Sequence, residues 1–154
     1  LSDEEMENQL EIRKVEWPSP NPSVEALLHA FLPHKYIDHT HADSILLLTN
    51  QKNGKSLIKE ALGSKVAVLP YTMSGLPLAK EVVSQYEMDI DIEAIVIINH
   101  GIFTFGEDAR TSYERMIDYV NKAESFIKKK IQGHPILQSH IATFLNNGSI
   151  CNRV

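Results

Sequence analysis

Cysteine is nearly absent from this chain: Cys151 is the only one in 154 residues. No disulfide framework can form within it, and a reducing cytoplasm is the simplest setting. Long apolar stretches are missing too. The longest covers residues 94–98, far short of the about 20 residues a membrane-spanning helix needs. There is no excess of positive charge, since 15 Lys and Arg stand against 20 Asp and Glu, a net charge of −5. That balance argues against nucleic acid as a partner, because phosphate contacts need clustered basic side chains. The one basic run, Lys128-Lys129-Lys130, suits the C-terminal end of a helix. The acidic start, Leu1-Ser2-Asp3-Glu4-Glu5, resembles no signal peptide and has no initiator methionine, so we read the chain as a fragment or a trimmed form. No glycine-rich dinucleotide loop follows a strand, and no internal repeat or low-complexity stretch is visible.

What is present is enough apolar material, 43% of the residues, for one globular domain with a real core. Residues 1–17 read as a marginal helix or arm outside that core. Three prolines at 18, 20 and 22 make the next stretch an extended loop. A helix is expected from about Pro22-Ser23 to Pro33, with Asn21 as its cap. Lys35–His41 reads as a strand, Ala42–Thr49 as a short buried helix and Asn53-Gly54 as a turn. Ser56–Leu62 is a helix closed by Gly63. Val66–Tyr71 is a strand and Pro77–Tyr86 an amphipathic helix. Ala94–Asn99, apolar and β-branched, is a central strand. His100-Gly101 turns into a second strand, Ile102–Phe105. Asp108 caps a long helix whose core face is Tyr113, Ile117, Val120, Ile127 and Ile131, ended by Gly133 and Pro135. Strands alternating with helices indicate an α/β layered domain.

Three histidines stand out. His39 and His41 have strand spacing, which puts both side chains on one face, and His100 follows the central strand. Ligands gather at strand ends in such sheets. Three imidazoles there would leave zinc a free fourth position. The residues alone leave the alternative open, since strand histidines also serve as hydrogen-bonded core groups. Glu25 has two readings as well: a helix-start carboxylate favoured by the dipole, or a general acid/base beside the metal. His29, one turn along, is in reach of Glu25 but reads more simply as a core histidine. His34, His134 and His140 read as surface residues. Asp38 points away from the histidine face, as a partner for an imidazole or a surface group. Tyr71, Tyr86 and Tyr113 are proton-donor candidates whose simpler reading is half-buried core.

Pro22-Ser23-Val24-Glu25, Asp38-His39-Thr40-His41-Ala42-Asp43 and Asn99-His100-Gly101-Ile102-Phe103-Thr104-Phe105-Gly106 together resemble the class II aldolase/adducin family. Leu27–Pro33 and the stretch around Ser112–Met116 resemble the aldolase half of bifunctional aldolase/short-chain dehydrogenase proteins, related to rhamnulose-phosphate aldolase. The likeness spans residues 2–130. It implies a three-layer α/β/α sandwich with a mixed, largely antiparallel sheet. It implies zinc held by His39, His41 and His100, with Glu25 exchanging the proton in reversible aldol cleavage of a ketose (1-phosphate) through a metal-stabilised enediolate.

It further implies a homo-oligomer, usually a tetramer, with sites at subunit boundaries. The glycine- and asparagine-containing loop that binds substrate phosphate in the family is not found upstream of Glu25. Ser23 alone remains at a phosphate-side position. We therefore expect an N-terminally truncated class II aldolase-like domain over 1–154: a polar arm and Pro-rich loop at 1–21, the metal-site core at 22–133, and a weakly patterned tail at 134–154. The competing functions are a sugar-phosphate epimerase or dehydratase on the same zinc site, and a non-catalytic adducin-like scaffold.

Overall fold

Alternation with a period of two in three apolar strands builds this domain from the middle outwards. A computed structural model describes residues 2–16 and 18–132. The expected tail 134–154, its Cys151, His134 and His140, and the helix stop at Gly133 and Pro135 lie outside the described residues. In chain order the elements are α1 (Asp3–Glu11), α2 (Ala26–Phe31), β1 (Tyr36–Thr40), α3 (Asp43–Thr49), α4 (Gly54–Leu62), β2 (Val66–Leu69), α5 (Leu76–Met88), β3 (Ala94–Ile97), β4 (Gly101–Gly106) and α6 (Ala109–Ile131).

The four strands form one sheet in the order β1-β4-β3-β2. β4 is antiparallel to both β1 and β3, while β2 runs parallel to β3, with α5 as the crossover. The sheet is mixed and largely antiparallel, as the resemblance implies. Ala67, Leu69, Ile95, Ile97, Phe103 and Phe105 point to one face and pack with Leu27 and Leu28 of α2 and Leu78, Ala79 and Val82 of α5. Their neighbours Val66, Val68, Ala94, Val96 and Ile102 point to the other, against α3, α4 and α6. Helices thus cover both faces, and three layers result. Each large side chain so buried contributes about 1.5–3 kcal/mol.

Several expectations need correction. The N-terminal segment is not outside the core, because Met6 of α1 is buried in the layer formed by α2 and α5. A capping box holds the start of α1, with Ser2 and Glu5 bonding each other's backbone N–H. α2 begins at Ala26, not near Pro22, because the Ser23 hydroxyl accepts the Glu25 N–H (3.1 Å) and forms a local turn first. The buried face of α6 is Ser112, Met116, Tyr119, Ala123 and Ile127, whereas Tyr113 and Ile117 are exposed. The start of α6 lies so close to the sheet that a Cβ on Gly106 would stand 3.1 Å from the Ser112 nitrogen. A small residue is required there. Ser112 and Thr104 also exchange hydroxyl-to-carbonyl hydrogen bonds of 3.3 and 3.0 Å. No helix among the described residues is long and apolar enough to cross a membrane.

Candidate metal centre

β1 carries His39 directly opposite Phe103 of β4, and the two rings stack at 3.8 Å with a 6° interplanar angle. His41 follows one residue past the strand end. The third histidine comes from the turn between β3 and β4. The His100 N–H donates to the Ile97 carbonyl at 3.2 Å, and Asn99 takes a left-handed φ of 57°. Asn is one of the few residues that tolerate that conformation. The turn therefore delivers His100 beside the end of β1. Glu25 arrives from the start of α2, where it stands at the cap position but makes no side-chain cap bond. Its carboxylate is turned to the histidines instead.

One ligand atom from each of Glu25, His39, His41 and His100 lies within 4.8 Å of every other. His39 Nε2 stands 2.9 Å from His41 Nε2 and 3.4 Å from Glu25 Oε2. His100 Nε2 is 2.7 Å from Glu25 Oε1. That contact is close in distance but not aligned as a hydrogen bond, so His100 Nε2 is a buried nitrogen without a hydrogen-bond partner. Zinc–nitrogen bonds of about 2.0–2.1 Å in a tetrahedron set ligand atoms about 3.3 Å apart. The donor set fits a divalent cation, which would satisfy the lone His100 nitrogen and relieve the crowding of the others.

Electrostatics agree with this. His39 Nδ1–H donates to the Ile102 carbonyl at 3.0 Å, which leaves the Nε2 lone pair facing the cluster, the tautomer a metal ligand needs. Burial holds the His39 imidazole down at about 4, against the opposing pull of its Ile102 bond and of the Glu25 charge. The ring is therefore neutral at pH 7. Space is set by Gly101, where a Cβ would lie 2.5 Å from the Thr40 carbonyl oxygen, 2.9 Å from His41 Cδ2 and 3.1 Å from His39 Cε1. The side chains of His39 and His100 are nearly enclosed, while His41 stands on the open side.

All four residues singled out for the metal centre thus converge. Ser23 stands beside it on the exposed turn, its hydroxyl occupied by the Glu25 N–H. His29 is exposed rather than a core histidine, because its position on α2 faces outward, with only an edge-on approach to Phe103 at 6.3 Å. His34 is not a free surface group: it stacks on Phe105 at 4.4 Å and meets the Glu107 carboxylate at 3.1 Å. Tyr86 packs on the same Phe105, while Tyr71 and Tyr113 are exposed. Reading the sequence missed Ser74, whose hydroxyl donates to Glu25 Oε1 at 3.5 Å. It also missed the bracing of His39 by Phe103. Neither has a local signal, because both depend on pairings between distant segments.

Comparison with known proteins bears on the family and the fold. The class II aldolase and adducin N-terminal domain matches residues 4–127. An uncharacterized oxidoreductase of Bacillus subtilis, YuxG, is 34% identical over 136 residues, which is 88% of this chain and 20% of that protein. The N-terminal class II aldolase domain of a conserved protein from Thermoplasma acidophilum superposes with a TM-score of 0.73 at 43% identity, covering 82% of this chain and 58% of that one. A sugar-phosphate aldolase from Thermotoga maritima shares the fold, with a TM-score of 0.64 at 20% identity over 75% of this chain and 57% of that one. The chain thus spans about a fifth of YuxG and less than two thirds of the solved relatives. With its sheet, its helical layers and a profile match over most of its length, this chain belongs to the class II aldolase and adducin N-terminal domain family.

Proposed function

We propose that this domain is a zinc-dependent aldolase that reversibly cleaves a ketose 1-phosphate, working as a homo-oligomer in the cytoplasm. The observation that carries the reading is the meeting of one carboxylate with three imidazoles, within 4.8 Å, in a chain of this family. A purely structural member has no use for a buried, hydrogen-bond-deficient histidine nitrogen aimed at a carboxylate. The sugar-phosphate activity named for the Thermotoga relative supports the substrate class.

His39, His41 and His100 would hold the zinc, and as neutral ligands they leave its charge undiminished. Bound there, the ion supplies a Lewis acid that draws electron density from a substrate carbonyl. In cleavage the hydroxyl on the departing carbon loses its proton to water, the carbon–carbon bond breaks with its electron pair left on the carbon beside the carbonyl, and Glu25 would deliver a proton there; in condensation Glu25 would take that proton back. Its position at the start of α2 suits this work. The carboxylate is only 20% exposed, so water competes little for it, while the open side at His41 leaves a path for substrate.

Elemental analysis and aldol-cleavage assays of the intact protein test this. Zinc is expected at one per chain and lost in His39→Ala. Glu25→Gln is expected to keep the ion while turnover of ketose 1-phosphates drops by at least about 100-fold. Protein purified without chelator that holds no metal, or undiminished turnover in Glu25→Gln, would remove the corresponding part of the proposal.

A further inference from the structure

We infer that Ser74 is a positioning residue for Glu25, on a loop pinned from the N-terminal helix; this deepens, and rests on, the aldolase reading. The loop 70–75 leaves β2 and enters α5 beside the metal centre. Ser74, half-buried in it, gives its hydroxyl hydrogen to Glu25 Oε1 at 3.5 Å. The same oxygen faces His100, and the other carboxylate oxygen faces His39. A His100 nitrogen engaged on a metal no longer offers Oε1 anything. Ser74 is then the hydrogen-bond donor that keeps the carboxylate from swinging away from the reacting carbon.

Two contacts frame Ser74. On one side the Thr72 hydroxyl donates to Glu81 Oε2 of α5 at 2.5 Å. On the other, the Leu76 N–H donates to Asp3 Oδ1 of α1 at 2.9 Å. α5 has no side-chain cap of its own, since its cap position is Gly75 at φ 128°. The Asp3 carboxylate supplies the cap from another helix. A Cβ on Gly75 would stand 3.0 Å from that carboxylate oxygen, so glycine serves both the turn and the approach of Asp3. Met6, buried one turn further along α1, anchors the helix that carries Asp3. The polar start of the chain thereby reaches the proton-transfer group through Asp3, the Leu76 N–H it holds, and Ser74 on the loop before it.

The test follows solvent deuterium entering dihydroxyacetone phosphate, the three-carbon fragment that cleavage of a ketose 1-phosphate yields, with zinc-loaded intact protein. Ser74→Ala is expected to lower kcat for exchange about tenfold, the worth of one hydrogen bond to a charged group, with KM and zinc stoichiometry unchanged. Ser74→Thr, which keeps the hydroxyl, restores the rate to within about twofold, and Asp3→Ala gives a smaller loss of the same kind. Exchange in Ser74→Ala equal to wild type, a loss confined to KM, or loss of zinc in step with rate would overturn the inference. Wild-type protein that binds zinc and exchanges no label overturns the aldolase reading, and the role of Ser74 with it.

Discussion

Gly101→Ala is the sharpest single perturbation of this site, because Gly101 is glycine for reasons of space alone. Its φ is not in the left-handed region, so alanine meets no backbone strain. The added methyl would instead lie 2.5 Å from the Thr40 carbonyl oxygen and 2.9 Å from His41 Cδ2. Carbon and oxygen approach no closer than about 3.3 Å, so the end of β1 must retreat by about 0.8 Å. No rotamer change relieves a clash with a backbone oxygen. Metal ligands tolerate displacements of about 0.2 Å, and Thr40 lies between His39 and His41. Overpacking of this kind costs about 1–3 kcal/mol, a loss that a typical domain survives with a Tm lower by several degrees. Zinc affinity should fall by about 100-fold, measured by competition against a chromophoric chelator.

Gly63→Ala provides the contrast. At Gly63 nothing lies within 4 Å of the added Cβ, but φ is +91°, so the cost is about 1–2 kcal/mol of backbone strain with zinc affinity unmoved. A Gly101→Ala protein that binds zinc as tightly as wild type would refute the whole account of how the site is shaped.

The metal-free protein should also depend on pH through His39. The unfolded chain takes up this proton near 6.5, whereas the folded chain does so only near 4. The unfolded state therefore holds more protons in that window, and stability falls as pH falls through it. The contribution is complete above pH 6.5 and shrinks by about 3 kcal/mol on reaching pH 4. Urea unfolding of chelator-stripped protein measures it, and His39→Gln should flatten the profile. An equally steep profile in that variant would assign the effect to another group. Loss of zinc in His39→Ala, retention of zinc without turnover in Glu25→Gln, and the slowed exchange of Ser74→Ala complete the set for the site.

The parts of this fold that were legible in the sequence are those where one physical requirement dominates. β3 needs apolar β-branched residues on both faces and has them, so Ala94–Asn99 stands out as a strand, of which Ala94–Ile97 is one. The Asp108 cap of α6 follows from local chemistry, and its carboxylate does accept the Thr111 N–H at 2.8 Å. Spacing alone left His39, His41, His100 and Glu25 with two readings each; the flanking motifs singled them out, and the structure brings the four together. Where two requirements compete, the sequence pattern is ambiguous. Large apolar side chains on α6 suggest a stripe through Tyr113, Ile117 and Val120, but close approach to the sheet selects small residues, and the buried stripe through Ser112, Met116 and Tyr119 lies one residue over. Met6 was passed over because a single apolar residue among acids carries no periodicity; its burial depends on α2 and α5. Ser74 and Asp3 were invisible for a related reason, since each acts on a group many residues distant.

The pairing of β1 with β4 also governs when the metal centre can exist. The β3–β4 hairpin is local and carries His100 at its tip, so its closure costs little chain entropy. β1 must then find β4 across a separation such as the 63 positions from His39 to Ile102, a long-range search of the kind that makes folding slow. Until it does, His39 and His41 are far from His100, and the hairpin alone offers the ion one nitrogen. Zinc capture should accordingly trail hairpin formation in stopped-flow refolding and coincide with docking of β1; capture that runs ahead of it would show the site assembling by another route. An ion bound there would serve as a timekeeper, registering the completion of the sheet rather than nucleating it.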